Sequence, residues 1–108
     1  MIKARIAIPS DVAVGDSIEI KTLVSHPMES GFRLDYGGEV IPRAIIETFE
    51  VRYLDEQVFT MQFGPGIAAN PYVSFYLTAE QSGQIEFIWM EQGGEITEIV
   101  RDINVTAS

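Results

Sequence analysis

The feature that most constrains this chain is a hydrophobic period of two that persists over almost its whole length. Ile2, Ala4, Ile6 and Ile8 alternate with Lys3, Arg5 and Ala7, while Ile18, Ile20, Thr22 and Val24 alternate with Glu19, Lys21 and Ser25. Successive side chains of a β-strand point to opposite faces, so this alternation makes one buried and one solvated face, whereas a helix needs a period near 3.6. Odd positions carry the apolar side chains in three further segments: Ile45, Phe49, Val51 and Tyr53; Phe59, Met61 and Phe63; Val73, Phe75 and Leu77. These segments are rich in β-branched and aromatic residues, which pack well on a pleated surface. The last two strands are predicted over 84–91 and 95–105, joined by Gln92-Gly93-Gly94, whose glycines permit the positive φ of a tight hairpin. A turn is expected over 9–16, and Asp35-Tyr36-Gly37-Gly38, Leu54-Asp55-Glu56, Gly64-Pro65-Gly66 and Gln81-Ser82-Gly83 punctuate the remainder. One helix competes, over 42–49, with Pro42 in its first turn and Ile41, Ile45 and Phe49 on one face. Strand is the expectation there, because Phe49, Val51 and Tyr53 continue the alternation and would stop a helix within two turns.

About seven short antiparallel strands at this spacing predict an all-β, immunoglobulin-like β-sandwich forming one domain over residues 1–108. A chain of this length buries roughly two thirds of its unfolded surface, enough for a core without covalent staples. None are available, since the sequence has no cysteine, and thiol catalysis, iron–sulfur clusters, thiolate zinc sites and disulfides are thereby excluded on this chain. Sixteen acidic against seven basic side chains give a net charge of -9, which phosphate backbones and anionic lipid repel, and the basic residues are scattered along the sequence. Neither nucleic acid nor a membrane is an expected partner. The longest apolar run, Phe87-Ile88-Trp89-Met90, falls far short of the ~18 residues that span a bilayer. The first nine residues lack an apolar h-region and a small-residue cleavage site, a pattern of cytoplasmic proteins or of proteins exported by other means.

Chemistry has few footholds. The single histidine, His26, lies in Ser25-His26-Pro27-Met28-Glu29-Ser30-Gly31, where proline ends a strand. This segment reads as a polar recognition loop in which His26 is either an acid or base, or a group that donates to a backbone carbonyl and fixes the loop. A zinc site would need further ligands, so no metal is expected. Glu47, Glu50, Asp55, Glu56, Glu91, Glu95 and Glu98 read as solvated strand faces, no Gly-x-Ser-x-Gly elbow is present, and Gly64-Pro65-Gly66 lacks the Lys-Ser/Thr ending of a phosphate loop. A different signal is apolar excess. Ile85, Phe87 and Trp89 already supply a core face, yet Ile88 and Met90 on the opposite face, with Ile96 and Val100 on the neighbouring strand, supply a second. The second face of a two-layer sandwich ordinarily meets water, so a subunit or a crossover loop is expected to cover it.

His26-Pro27-Met28-Glu29-Ser30-Gly31, followed by Arg33, Asp35, Gly38, Ile41-Pro42, Ile46 and Asn70-Pro71-Tyr72, resembles the SoxZ family, the small subunits of the SoxYZ sulfur carriers of bacterial thiosulfate oxidation. The resemblance runs from about Ile2 to Val105. It implies a cysteine-free β-sandwich paired with a SoxY-like subunit, as heterodimer or heterotetramer, whose C-terminal cysteine holds the sulfur intermediate. It also implies transient partners of the SoxAX cytochrome and SoxB hydrolase type, and a periplasmic address reached by export with a signal-bearing partner. No catalytic residue and no cofactor transfers to any position here. The expected function is therefore a noncatalytic carrier subunit whose partner-binding residues are His26, Pro27, Met28, Glu29, Ser30, Gly31 and Arg33, with Ile88, Met90, Ile96 and Val100. Two other classes compete: an enzyme using His26 with a nearby carboxylate, and a small immunoglobulin-like binding or adhesion module, which would expose aromatic side chains such as Tyr36 or Tyr72 in a groove.

Overall fold

The computed structural model describes residues 2–107. Its strands are β1 (Lys3–Ala7), β2 (Val12–Ala13), β3 (Ser17–Ser25), β4 (Ile46–Tyr53), β5 (Glu56–Gln62), β6 (Tyr72–Thr78), β7 (Gly83–Glu91), β8 (Ile96–Ile103) and β9 (Val105–Thr106). Seven longer strands make two antiparallel sheets, in the orders β1-β3-β6 and β5-β4-β7-β8. The all-β sandwich expected from the alternation is the fold. Two details differ. The expected turn over 9–16 contains β2, and the expected strand over 95–105 breaks after Ile103, so that β9 leaves the sheet and pairs parallel with β2. Two-residue strands are too short to write a period into sequence. Segment 42–49 is not helical: Ala44 bridges Glu29, and β4 starts at Ile46 with a register shift against β7 before Thr48, which lets Ile45 and Ile46 both be buried.

Alternation places Ile18, Ile20, Thr22, Val24, Phe75 and Leu77 from one sheet against Phe49, Val51, Tyr53, Ile85, Phe87 and Trp89 from the other. Aromatic rings bind the layers. Across the layers Phe59 stacks on Phe75 at 4.7 Å and Phe49 meets Phe75 edge-on at 6.4 Å, while within the four-stranded sheet Phe49 stacks on its register partner Trp89 at 4.9 Å. Each such pair adds about 0.5–1.5 kcal/mol beyond the area it buries. The Tyr53 hydroxyl pins the loop before β7, accepting from the N–H of Glu80 (3.2 Å) and Gln81 (3.0 Å) and donating to the carbonyl of Gln81.

The chain between β3 and β4 does not fold back over the core. It runs out and returns as a hairpin arm, with Leu34 bridging Val40, Ile41 N–H donating to the Arg33 carbonyl at 2.8 Å, and Asp35 N–H to that of Glu39 at 2.8 Å. The molecule is accordingly elongated, 61 × 20 × 18 Å with a radius of gyration of 16.4 Å, where a compact 100-residue domain has about 13 Å.

Candidate partner-binding surfaces

The base of the arm is a knot of polar bonds around His26. Its Nδ1 accepts from Met28 N–H at 2.9 Å, which leaves the proton on Nε2, and Nε2 donates to Oε1 of Glu91 on β7 at 2.8 Å. The backbone of His26 is held too: its N–H donates to Asn70 Oδ1 at 3.0 Å and its carbonyl accepts from Asn70 N–H at 2.8 Å. With 7% of His26 exposed and both ring nitrogens committed, neither faces a substrate. The loop is fixed by this ring as one reading of the sequence had it, but through an accepted backbone N–H and a carboxylate rather than a backbone carbonyl. Glu91, read as part of a solvated strand face, is instead half-buried as the partner of that ring.

Met28 is buried at 5% exposure with φ of +49°, and its sulfur accepts from Ile46 N–H at 3.3 Å. Gly31 has φ of +90°, and a Cβ there would stand 3.2 Å from Arg43 Cβ, so the close approach of the two legs requires glycine. Glu29 and Arg33 form a two-pronged ion pair beside it. The hydrogen bond and charge of the guanidinium hold the Glu29 carboxyl below the ordinary carboxylate range, and the same bond raises Arg33. Of the loop residues expected to meet a partner, His26 and Met28 are thus interior, Glu29 and Arg33 bind each other, Ser30 and Gly31 are half-buried, and Pro27 is exposed.

What the arm offers to solvent lies further out. Asp35 Oδ1 accepts from the N–H groups of Gly37 (2.8 Å) and Glu39 (3.0 Å), and Gly38 takes φ of +81°, which together close a tight tip. Leu34 and Val40 are bridge partners and so share a face, Phe32 lies two residues before Leu34, and Tyr36 stands in the turn at the tip. All four are exposed: Phe32 at 83%, Leu34 at 56%, Val40 at 58%, and Tyr36 fully. Sequence reasoning named Tyr36 only as an exposed aromatic of a plain binding module and missed Phe32, Leu34 and Val40, because alternation gives faces only once the strand is known and Asp35-Tyr36-Gly37-Gly38 reads as a turn.

The second expected surface is real as a face. Met90 pairs Ile96 and Glu86 pairs Val100 in the β7–β8 ladder, which puts Ile88, Met90, Ile96 and Val100 on the outer side of the four-stranded sheet, among Glu50, Glu86 and Glu98. Ile88 is buried within the sheet surface and Met90 half-buried, while Ile96 (61%) and Val100 (38%) are open. The crossover loop that would have covered this face is the arm, which leaves from the end of the sheet carrying Met90 and Ile96.

Three of the seven basic residues share a face. On the outer side of the β1-β3-β6 sheet, Arg5 of β1 is opposite Leu23 and diagonal to Lys21 of β3, Lys3 is opposite Ser25 further along, and Tyr72 and Tyr76 of β6 lie on the same side. The exposed tyrosines of a plain binding module, Tyr36 and Tyr72, are both found, on the arm and on this face. Among the described residues no three His, Cys, Asp or Glu side chains converge as metal ligands would, and no helix is long and apolar enough to cross a membrane.

Comparison with known proteins adds the following. The family model for sulphur oxidation protein SoxZ matches residues 6–100. Among solved structures, superoxide reductase (neelaredoxin) from Ignicoccus hospitalis superposes with a TM-score of 0.72 at 21% identity, covering 94% of this chain and 79% of that one. The sulfur carrier protein SoxY from Chlorobium limicola f thiosulfatophilum superposes with a TM-score of 0.66 at 15% identity, covering 95% and 78%. At such identities the two structures show a shared fold. No curated protein matches the sequence.

Proposed function

The chain belongs to the SoxZ family of sulphur oxidation proteins, and from that membership we propose that it is the noncatalytic subunit of a sulfur carrier, pairing with a SoxY-like, cysteine-bearing subunit and presenting it to enzymes of the SoxAX and SoxB type. The observation that carries the reading is the arm: a preorganised hairpin on which Phe32, Leu34, Tyr36 and Val40 are all exposed, Leu34 and Val40 side by side across the bridge. A contiguous apolar surface on a rigid projection is what a permanent partner covers, and ordering it in advance lowers the entropy that pairing must overcome. Open Ile96, at the end of the sheet from which the arm leaves, and Val100 further along β8 extend the surface a subunit would bury. Both sulfur chemistry and catalysis then sit off this chain, which has no thiol and whose one imidazole is sealed in structure. A periplasmic location, reached in company with the partner, belongs to the same proposal.

The test is coexpression with a SoxY-like, cysteine-bearing subunit. The two should elute as one complex, and Phe32→Ser with Leu34→Ser should lower complex recovery at least about tenfold, since buried anchors of this kind contribute upward of 1 kcal/mol each. Equal recovery with the double variant would remove the arm from the interface, and no complex with the parent chain would sink the carrier reading.

A further inference from the structure

The pairing surface proposed above leaves the opposite layer of the sandwich free. The outer side of β1-β3-β6 carries Lys3, Arg5 and Lys21, three of the seven basic side chains, against one acid, Glu19, on a chain with sixteen. Lys21 lies 3.9 Å from Glu19, and among the described residues no carboxylate pairs with Lys3 or Arg5. An open groove of about 550 Å³ runs along Lys3, Arg5, Leu23, Ser25 and Asn70, and a second of about 260 Å³ adjoins it, sharing Arg5 and Leu23 and bordered by Lys21 and Tyr72. Leu23, Tyr72 and Tyr76 are exposed on the same face.

We infer that this face is a second docking surface and takes an acidic patch on a protein, namely an enzyme that acts on the carrier. Charge complementarity selects the sign of the occupant. Most of the sixteen carboxylates of a chain with net charge -9 lie off this face, so an anionic partner is steered toward the one face where three basic side chains stand against a single acid. Extent selects a protein. The face follows β3 from Ser25 to Glu19, about 20 Å at the rise of a strand, and its tyrosines and arginine are the residue types that anchor protein interfaces rather than single small ions. Nucleic acid and anionic lipid, which present charge over wide areas, meet the remaining acids. The inference rests on the carrier reading for the identity of the occupant and on charge and groove alone for the face.

The test has two arms. In the first, the ¹⁵N-labelled chain is titrated with hexaglutamate in about 0.01 M salt, where the Debye length is about 30 Å. Amide shifts are expected in β1, β3 and β6, and are expected to vanish in about 0.15 M salt and in the triple variant Lys3→Glu, Arg5→Glu, Lys21→Glu. Arg43→Glu with Arg101→Glu, which reverse charges elsewhere, should leave them unchanged. In the second, the assembled carrier pair is mixed with each of its enzymes by stopped flow, and the triple variant should associate at least about tenfold more slowly at low salt while still forming the pair. Shifts confined to other strands, tighter binding of phosphatidylglycerol vesicles than of hexaglutamate, or an unchanged association rate would each overturn the inference. Failure of the chain to pair with a cysteine-bearing subunit would sink the functional reading instead, and the peptide titration would still decide the face.

Discussion

His26 shows how a residue type that suggests catalysis serves structure. Its ring replaces a backbone acceptor for Met28 N–H and a partner for a half-buried carboxylate, so it holds a non-glycine residue at φ of +49° where the arm begins. His26→Ala should therefore cost about 2–3 kcal/mol, the penalty for orphaning a buried N–H and a carboxylate, read as a lower thermal midpoint of the isolated chain. Tyr53→Phe removes the three bonds that tie the loop before β7 to β4 and should cost about 1–3 kcal/mol with the sheet core unchanged. The Glu29–Arg33 pair gives a pH effect of definite sign. Because the folded-state value of Glu29 is depressed, chiefly by its hydrogen bond to Arg33, the pair stabilises the arm base above the unfolded carboxyl value and loses that contribution as pH falls through the folded one. NMR titration of the Glu29 side chain should give a midpoint below the unperturbed ~4.3, moving back toward it in Arg33→Gln.

At the scale of elements, the arm and β8 divide the labour of the surface. Both can be altered without touching the core, because the arm projects from the sandwich and the open side chains of β8 face outward. Ile96→Glu and Val100→Glu are better probes of the outer sheet face than changes at Ile88, which is buried between Glu50 and Glu98 and would destabilise the chain itself. Each should leave the thermal midpoint of the isolated chain nearly unchanged and weaken pairing, since a carboxylate buried unpaired at an interface costs several kcal/mol. Pairing at parental affinity in both variants would exclude this face and leave the arm alone as contact. The glycine at position 31 sets the geometry of the arm, and Gly31→Ala should splay its legs for reasons of φ and of the close approach to Arg43.

The whole molecule is a sandwich with two unlike outer faces, one acidic with aliphatic side chains and one basic with tyrosines, and an apolar projection at one end. That division suits a subunit which must hold one partner permanently and meet others briefly. On exposure of the assembled carrier to thiosulfate and its oxidising enzymes, intact-mass analysis of the separated subunits should find sulfur added to the partner and none to this chain, which has no thiol to accept it. A stable adduct here would contradict the assignment of the chemistry to the partner.

The class of fold and the composition of the core were legible in the alternation alone, because a period of two decides which side chain of each strand is inside: Ile18, Ile20, Val24, Phe49, Phe75 and Trp89 are all where alternation puts them. So was the outer apolar set Ile88, Met90, Ile96 and Val100, a property of two strands joined by a short glycine turn. The shape of the loop after β3 came from long-range contacts instead. Burial of His26 and Met28 depends on Glu91 and Ile46, each at least 18 residues away along the chain, and exposure of Phe32 and Tyr36 depends on a hairpin held by Asp35 and Gly38 rather than by periodicity. The basic face is of the same kind: strand register brings Lys3, Arg5 and Lys21 onto one face with Arg5 diagonal to Lys21, and register is fixed by the packing of the opposite, buried face, which no local pattern of charge records.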